Sequence, residues 1–461
     1  MGLTMIYLDI TRIFNRVNAS SPTGIDRVEF EYAKNSLEKG HFFAYQKRSE
    51  LFSAPRYLVE KVVAYLAERW EKGREEDPTI EHSIKEWAKS LRLKPMPKPT
   101  GTVKFLRELK GKKFKERLAA VRSEAEFIKA KAPQVPSSMA TIFVALFHDK
   151  ILKKFEAANA VDAPTGIHWN KVFHKSCYLN VGHTGLEKRA LFEHVKANGI
   201  QVALYLHDLL PMTHPHLFVE GTDKTHKVRM DNMAAFSDLI FANSFYTKEK
   251  FEELYGKSSV AGVLEIGSQE LTKKSSVPAS QRKNFVSIGT IEPRKNYLWL
   301  VRAWDNYCQK NPGRVKDDKL IIFGKVGWLK DKELNELQKL AKKNNIEIIS
   351  GASDELIQTT LSHAKAYVTA AEVEGWGMPL AESLSYGTPV IATDVAAHRE
   401  VTRNTARFFE FNNVDEFHAH LDAYYIKQHY EVALDDVTRY APWQWKSHFD
   451  RLAQHINGQV S

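Results

Sequence analysis

The chain is predicted to be an α/β protein built from two parallel-sheet domains, on three observations. Its 461 residues exceed what one hydrophobic core organises and suit two domains of about 200 residues each. Short apolar segments bounded by turn residues alternate with helical-period segments in both halves, the pattern of strand–helix–strand units. A hydrophobic content of 43% beside 26% charged residues is that of an ordinary globular protein.

In the first half, Met5–Ile10 reads as the opening strand, followed by a polar loop through Ser21. Thr23 and Asp26 have capping-box spacing, so a helix is expected from Gly24 to about Leu37. Tyr57–Trp70 is helical by pattern, and Pro78, Pro95, Pro97 and Pro99 then punctuate the chain. The basic stretch Lys104–Lys131 carries Phe114, Leu118, Val121, Ala125 and Ile128 at four-three spacing, one apolar stripe among cations. Two readings stand side by side: an amphipathic helix on anionic lipid, or a packed helix with a solvated charged face. Its aromatics sit on the apolar stripe and are not interleaved with the cations, which speaks against nucleic acid. Ala140–Phe147 reads as a buried strand.

Strand and helix then alternate: strand Ser176–Val181, helix Leu186–Asn198, strand Gln201–Leu206, strand Asp238–Ala242, helix Tyr246–Tyr255 and strand Ser259–Ile266. A linker is expected near Gln269–Asn284, where Lys, Ser, Pro and Gln replace the apolar pattern. Strands Phe285–Ile291, Lys319–Phe323, Ile346–Ile349, Ala366–Thr369, Pro389–Ala392 and Arg407–Phe411 build the second domain. Ser353 caps a helix over Asp354–Ala364, another helix covers Val414–Gln428, and a last one ends near Ile456. The expected domains are 1–268, with a basic helical insertion near 50–135, then 285–435, then a final helix within 436–461.

No apolar run reaches the ~20 residues of a membrane span, and Asp9 and Arg12 interrupt the N-terminal apolar segment, unlike a signal peptide. Two cysteines, Cys177 and Cys308, fall in different domains, so no disulfide framework is expected and a reducing cytoplasm is the default. The net charge of +10 leaves nucleic acid, anionic membrane and phosphorylated substrates open as partners.

The chemistry concentrates in Glu374-Gly-Trp-Gly-Met-Pro-Leu-Ala-Glu382. A helix is expected to start at Met378 or Pro379, because proline suits a first turn, and to stop at Gly387. The amides of Gly375, Trp376, Gly377, Met378 and Leu380 at that start make an anion site, with glycines that let a ligand come close. One pocket then holds an anion at the amides and hydroxyl groups at Glu374 and Glu382, which is what a nucleotide sugar presents. Arg294 and Lys295, at a strand end, are expected to neutralise a diphosphate. His207 and Asp208 follow a strand carboxyl end, where ligands gather in open parallel sheets. His207, His214 and His216 have no recognisable metal spacing, so no metal is expected there.

This stretch resembles the E-x7-E motif of the retaining glycosyltransferases of family 4, which have the GT-B fold. Gly289-Thr-Ile-Glu-Pro-Arg-Lys-Asn296, Ser353-Asp-Glu-Leu356 and Gly387-Thr-Pro-Val-Ile391 match in the same order. The resemblance implies two Rossmann-like domains facing across a cleft, with the C-terminal helix crossing back to the first. It also implies a UDP- or GDP-linked sugar donor and a glycan or lipid-linked acceptor in bacterial surface polysaccharide synthesis, on a cytoplasmic chain peripheral to the membrane. By the same resemblance Glu382 holds the ribose, Glu374 a hydroxyl of the transferred sugar, and Lys295 and Arg294 the diphosphate. Gly289 and Gly324 lie near the nucleotide, Gly24 lets its loop approach donor and acceptor, and Arg27 contacts phosphate or an acidic acceptor. His207 sits near the donor sugar, with Asp208 orienting it or touching acceptor. Thr290 stands where some relatives carry an arginine. The chain has no Asp-x-Asp pair of the kind that holds a metal in other glycosyltransferases, so transfer is expected to be metal-independent and without a cofactor. The alternatives are another GT-B enzyme, such as a sugar-nucleotide epimerase or a phosphorylase, and a catalytically silent GT-B scaffold.

Overall fold

The computed structural model describes residues 4–91, apart from 20, 74 and 76, and residues 176–458, apart from 257–258, 269–276 and 343–344. The chain divides into two compact units, Met1–Ala88 with Trp169–Ser461, and Lys89–His168. All but the start of the second unit lies outside the described residues, and so do the basic stretch Lys104–Lys131 and the expected strand Ala140–Phe147.

The first unit contains two sheets. The first comprises β1 (Met5–Asp9), β2 (Phe42–Lys47), β3 (Glu50–Ser53), β4 (Ser176–Asn180), β5 (Gln201–Leu206), β6 (Leu239–Ala242) and β7 (Gly262–Val263), in the order β3-β2-β1-β4-β5-β6-β7. All its pairs are parallel except β2 with β3, and Met5 lies opposite Ser176. The second comprises β8 (Phe285–Ile288), β9 (Leu320–Phe323), β10 (Ile346–Ile349), β11 (Ala366–Thr369), β12 (Val390–Thr393) and β13 (Arg407–Phe409), all parallel, in the order β10-β9-β8-β11-β12-β13. Helices cover both faces, so β4, β9, β11 and β12 are buried along their whole length, which is why β9, β11 and β12 read as largely apolar runs.

The helix Gly24–Lys39 begins at the expected capping box. Thr23 Oγ1 accepts the Asp26 N–H at 3.3 Å, and the Asp26 carboxylate accepts the Thr23 N–H at 2.8 Å. The expected helix Val414–Gln428 is two helices, Val414–Ala423 and Lys427–Thr438, and a short helix, Thr11–Asn15, lies in the expected polar loop; three further differences have a local cause. Phe42–Lys47 and Glu50–Ser53 form a hairpin turned at Arg48, whose φ of +58° no glycine announces. Pro78 opens the helix Pro78–Ser90 instead of merely breaking the chain, the role proline takes in a first turn. The helix Thr222–Phe236 buries His226 and Asn232 beside Met230 and Met233, so its inward face shows no apolar period.

Cys177 lies in β4 and Cys308 in the helix Tyr297–Lys310, and neither forms a disulfide among the described residues. Among the described residues no helix is long and apolar enough to cross a membrane. The last helix, Trp445–Ile456, lies against the first domain. His448 donates from Nδ1 to the Glu265 carbonyl at 2.8 Å, so its Nε2 accepts the Tyr32 hydroxyl at 2.6 Å, all fully buried. Burial pushes that imidazole down to about 3, which keeps it neutral. Tyr32→Phe leaves the Nε2 acceptor buried without a donor, and equilibrium denaturation should register a loss of about 1–3 kcal/mol. An unchanged midpoint would show that the crossing helix does not depend on this bond.

Candidate active site

In each sheet the chain order reverses beside its first strand. β1 lies between β2 and β4, and β8 between β9 and β11. Loops leaving neighbouring strands diverge at such a point and open a crevice beyond the strand carboxyl ends. The two crevices meet in a cavity of about 610 Å³, lined by Gly24, Arg27, His207 and Asp208 from the first domain. From the second domain come Gly289, Gly324, Arg294, Lys295, Glu374, Gly375, Trp376, Gly377, Met378, Pro379 and Glu382. Leu380, also expected at the site, is 1% exposed and belongs to the hydrophobic core beneath it.

Arg294 and Lys295 do not stand as free charges. Both reach the Glu374 carboxylate, Arg294 at one oxygen and Lys295 at the other, and Arg294 also donates from Nε to Glu292 at 2.9 Å. Two cations thus face two carboxylates, Glu374 and Glu292, and the cluster is formally neutral. The physical reason is burial: a cation withdrawn from water needs a counter-charge at contact distance. Burial also opposes ionisation of Glu374, but Arg294 and Lys295 outweigh it and hold the carboxyl down at about 2.

The helix Met378–Ser385 starts from Gly377, whose φ of +95° is the left-handed conformation that glycine tolerates, with Pro379 in its first turn. The N–H groups of Gly375, Trp376, Gly377 and Met378 have no acceptor among the described residues. His398 packs beside Gly377, and donates from Nδ1 to the Thr393 carbonyl at 2.8 Å. Gly24 faces Met378: a Cβ on Gly24 would lie 3.6 Å from the Met378 sulfur. The starts of two helices from opposite domains therefore meet across the cavity.

Arg27 crosses the cleft and forms a bidentate pair with Asp354, at 2.7 and 2.5 Å. The half-buried Glu382 lies beside this pair; burial raises its carboxyl, and Arg27 partly offsets that. His207 donates from Nε2 to the Val181 carbonyl at 2.7 Å, leaving Nδ1 unprotonated. Burial lowers the ring to about 4, so it is neutral at physiological pH. Asp208 does not orient this ring; its carboxylate accepts the Leu210 N–H at 3.1 Å. Sequence reasoning missed Arg12, which lines the cavity and is held by Asp26 at 2.7 Å and Thr23 at 3.1 Å. It also missed the partner role of Asp354 and the Trp328 indole, which donates to the Leu217 carbonyl of the opposite domain at 3.1 Å. None of these partnerships leaves a local signal. Among the described residues no group of three or more His, Cys, Asp or Glu is placed to hold a metal ion.

Arg294 and Lys295 hold the Glu374 carboxyl at about 2 in the folded chain, well below the ordinary range of a glutamate. Its ionised form therefore stabilises the fold fully above the unfolded value, and the contribution is lost as pH falls toward the folded one. Glu374→Gln should lower stability by on the order of 2 kcal/mol at neutral pH, and the gap to the parent should narrow between about pH 5 and about pH 3. A gap independent of pH would contradict the ion cluster.

Residues 268–438 match the family model of the glycosyl transferases group 1. The chain is 23% identical over 238 residues to the serotype-specific mannosyltransferase WbdA of Escherichia coli, covering 47% of this chain and 28% of that protein. It is 29% identical over 134 residues to O-antigen chain mannosyltransferase B of Escherichia coli, covering 29% of this chain and 34% of that protein. The chain thus spans only about a third or less of the length of these curated relatives. Among solved structures, Anabaena HepE in complex with UDP and glucose superposes with a TM-score of 0.50 at 14% identity, covering 61% of this chain and 77% of that one. The chain accordingly has the GT-B fold, and residues 268–438 are similar to the glycosyl transferases group 1.

Proposed function

We propose that this chain is a retaining, metal-independent glycosyltransferase of bacterial surface-polysaccharide assembly, moving a sugar from a nucleotide-sugar donor to a glycan or lipid-linked glycan. The observation that carries this reading is one cavity holding four unpaired backbone amides, the Glu374–Arg294–Lys295 cluster and Glu382. The two curated relatives described above are mannosyltransferases by name, which supports mannose as the sugar.

In this reading the donor diphosphate lies against the N–H groups of Gly375 to Met378, and Glu382 holds the ribose hydroxyls. Glu374, ionised and fixed by two cations, accepts a hydroxyl of the transferred sugar. Held that way it is a poor nucleophile, and its low pKa rules it out as a proton donor near neutral pH. As the bond to the sugar breaks, negative charge builds on the leaving diphosphate beside preorganised amides, Lys295 and Arg294, which stabilise it without solvent reorganisation. The acceptor hydroxyl enters from the first domain past Gly24 and His207. Neutral His207 offers it or the sugar a hydrogen-bond acceptor, not a proton. The leaving phosphate takes the acceptor proton, so attack comes from the face the diphosphate leaves and configuration is retained. A silent scaffold has no use for a buried four-charge cluster, whose replacement by apolar residues is often neutral or stabilising.

The test is release of nucleotide from GDP-mannose and UDP-glucose, with and without a lipid-linked glycan acceptor. Glu382→Ala should lower turnover about 100-fold or more with an unchanged melting temperature, and turnover at the parent rate would refute the site. Chelator should leave the parent rate unchanged; a loss restored by Mg²⁺ or Mn²⁺ would refute metal independence.

A further inference from the structure

The loop that offers the free amides is held from the opposite domain at a single peptide. The Gly375 carbonyl accepts the Ser244 hydroxyl at 2.8 Å and the Thr247 hydroxyl at 3.3 Å. Both side chains belong to residues that are 0% exposed. They sit at the start of the helix Phe245–Tyr255 in the first domain, where Ser244 Oγ also accepts the Thr247 N–H at 3.0 Å as the helix cap. The second domain returns the contact: the Glu400 carboxylate accepts the N–H groups of Phe245 at 2.7 Å and Tyr246 at 3.2 Å. The approach leaves no room for a side chain on Gly375, since a Cβ there would lie 2.5 Å from the His207 carbonyl oxygen.

A trans peptide is planar, so the carbonyl of one residue and the N–H of the next leave opposite edges of one rigid unit. Fixing the Gly375 carbonyl therefore fixes the direction of the Trp376 N–H, one of the four amides without an acceptor. Glycine has too much backbone freedom to hold that plane by itself. We propose that Ser244, supported by Thr247, is a positioning residue that aims this peptide at the donor diphosphate, an inference that rests on the nucleotide-sugar reading of the cleft. Because both hydroxyls come from the first domain, the anion site is complete only while the two domains are docked at this helix start. A nucleotide then binds tightly to the docked arrangement alone, and acceptor-side and donor-side geometry are set by one contact.

The experiment is calorimetric titration of GDP and UDP into the parent, Ser244→Ala, Ser244→Thr and Thr247→Val, with the unfolding midpoint of each measured without nucleotide. Ser244→Ala should weaken binding of the preferred nucleotide about ten-fold, the effect of removing the shorter of the two hydrogen bonds that hold one buried carbonyl. Ser244→Thr, which keeps the hydroxyl, should restore affinity to within about two-fold of the parent. Ser244→Ala also loses a helix cap and should melt lower; Thr247→Val keeps the cap, and should weaken binding several-fold at a nearly unchanged midpoint. Parent-like affinity in both Ser244→Ala and Thr247→Val would overturn the positioning role and leave the donor site standing. A Ser244→Thr protein as weak as Ser244→Ala would overturn it too, because the hydroxyl would not be the agent. A folded parent that binds neither nucleotide would overturn the donor reading and this role with it.

Discussion

Keeping Glu374 ionised in a place almost without water is the constraint on which the rest of this structure depends. Only 7% of the residue is exposed, and a lone carboxylate so placed would take up a proton. Arg294 and Lys295 prevent that, and Glu292 satisfies the other edge of the Arg294 guanidinium. The four side chains come from two loops that leave neighbouring strands, β8 and β11, and the Glu372 N–H to the Arg294 carbonyl, at 2.9 Å, ties those loops together. Gly289 and Gly324 let the loops after β8 and β9 approach: a Cβ on Gly324 would lie 2.0 Å from the Gly289 carbonyl oxygen. Sheet order thus determines which charges meet.

The cluster is neutral by formal count, so Arg294 and Lys295 act on an anion as local donors, and the net attraction comes largely from elsewhere in the cavity. The unpaired amides at the start of the helix Met378–Ser385 supply it, since each such N–H carries partial positive charge and the helix dipole adds to them. Their geometry is set jointly by both domains. Ser244 and Thr247 hold one peptide, Glu400 caps the helix that carries those two residues, and Arg27 grips Asp354 beside Glu382. The crossing helix Trp445–Ile456, through His448, fastens the end of the chain to the first domain. Relative domain position and site chemistry are in this way the same variable.

Most of the fold was legible because it is written in local patterns. Continuous apolar runs such as Leu320–Phe323 and Ala366–Thr369 mark strands buried on both faces, and Thr23 with Asp26 marks a helix start. The hairpin through Arg48 and the helix Thr222–Phe236 escaped notice because one turns without glycine and the other buries polar side chains. At the cavity, many of the lining residues were readable but their pairing was not; Arg12 was missed, and Leu380 belongs to the core. Nothing near Arg27 in the sequence points to Asp354, and nothing near Ser244 points to Gly375, since each contact joins residues more than a hundred positions apart. Arg294 and Lys295 read as free cations because a sequence shows charge but not the carboxylate that burial brings to it.

The central claim is that the amides from Gly375 to Met378 receive a diphosphate while Glu382 receives the attached ribose. A crystal structure of the full chain with GDP or UDP bound tests it most directly. The account predicts phosphate oxygens within hydrogen-bond distance of those amides and of Lys295, with the ribose hydroxyls on the Glu382 carboxylate. A nucleotide seated elsewhere, or one whose ribose lies away from Glu382, would contradict it.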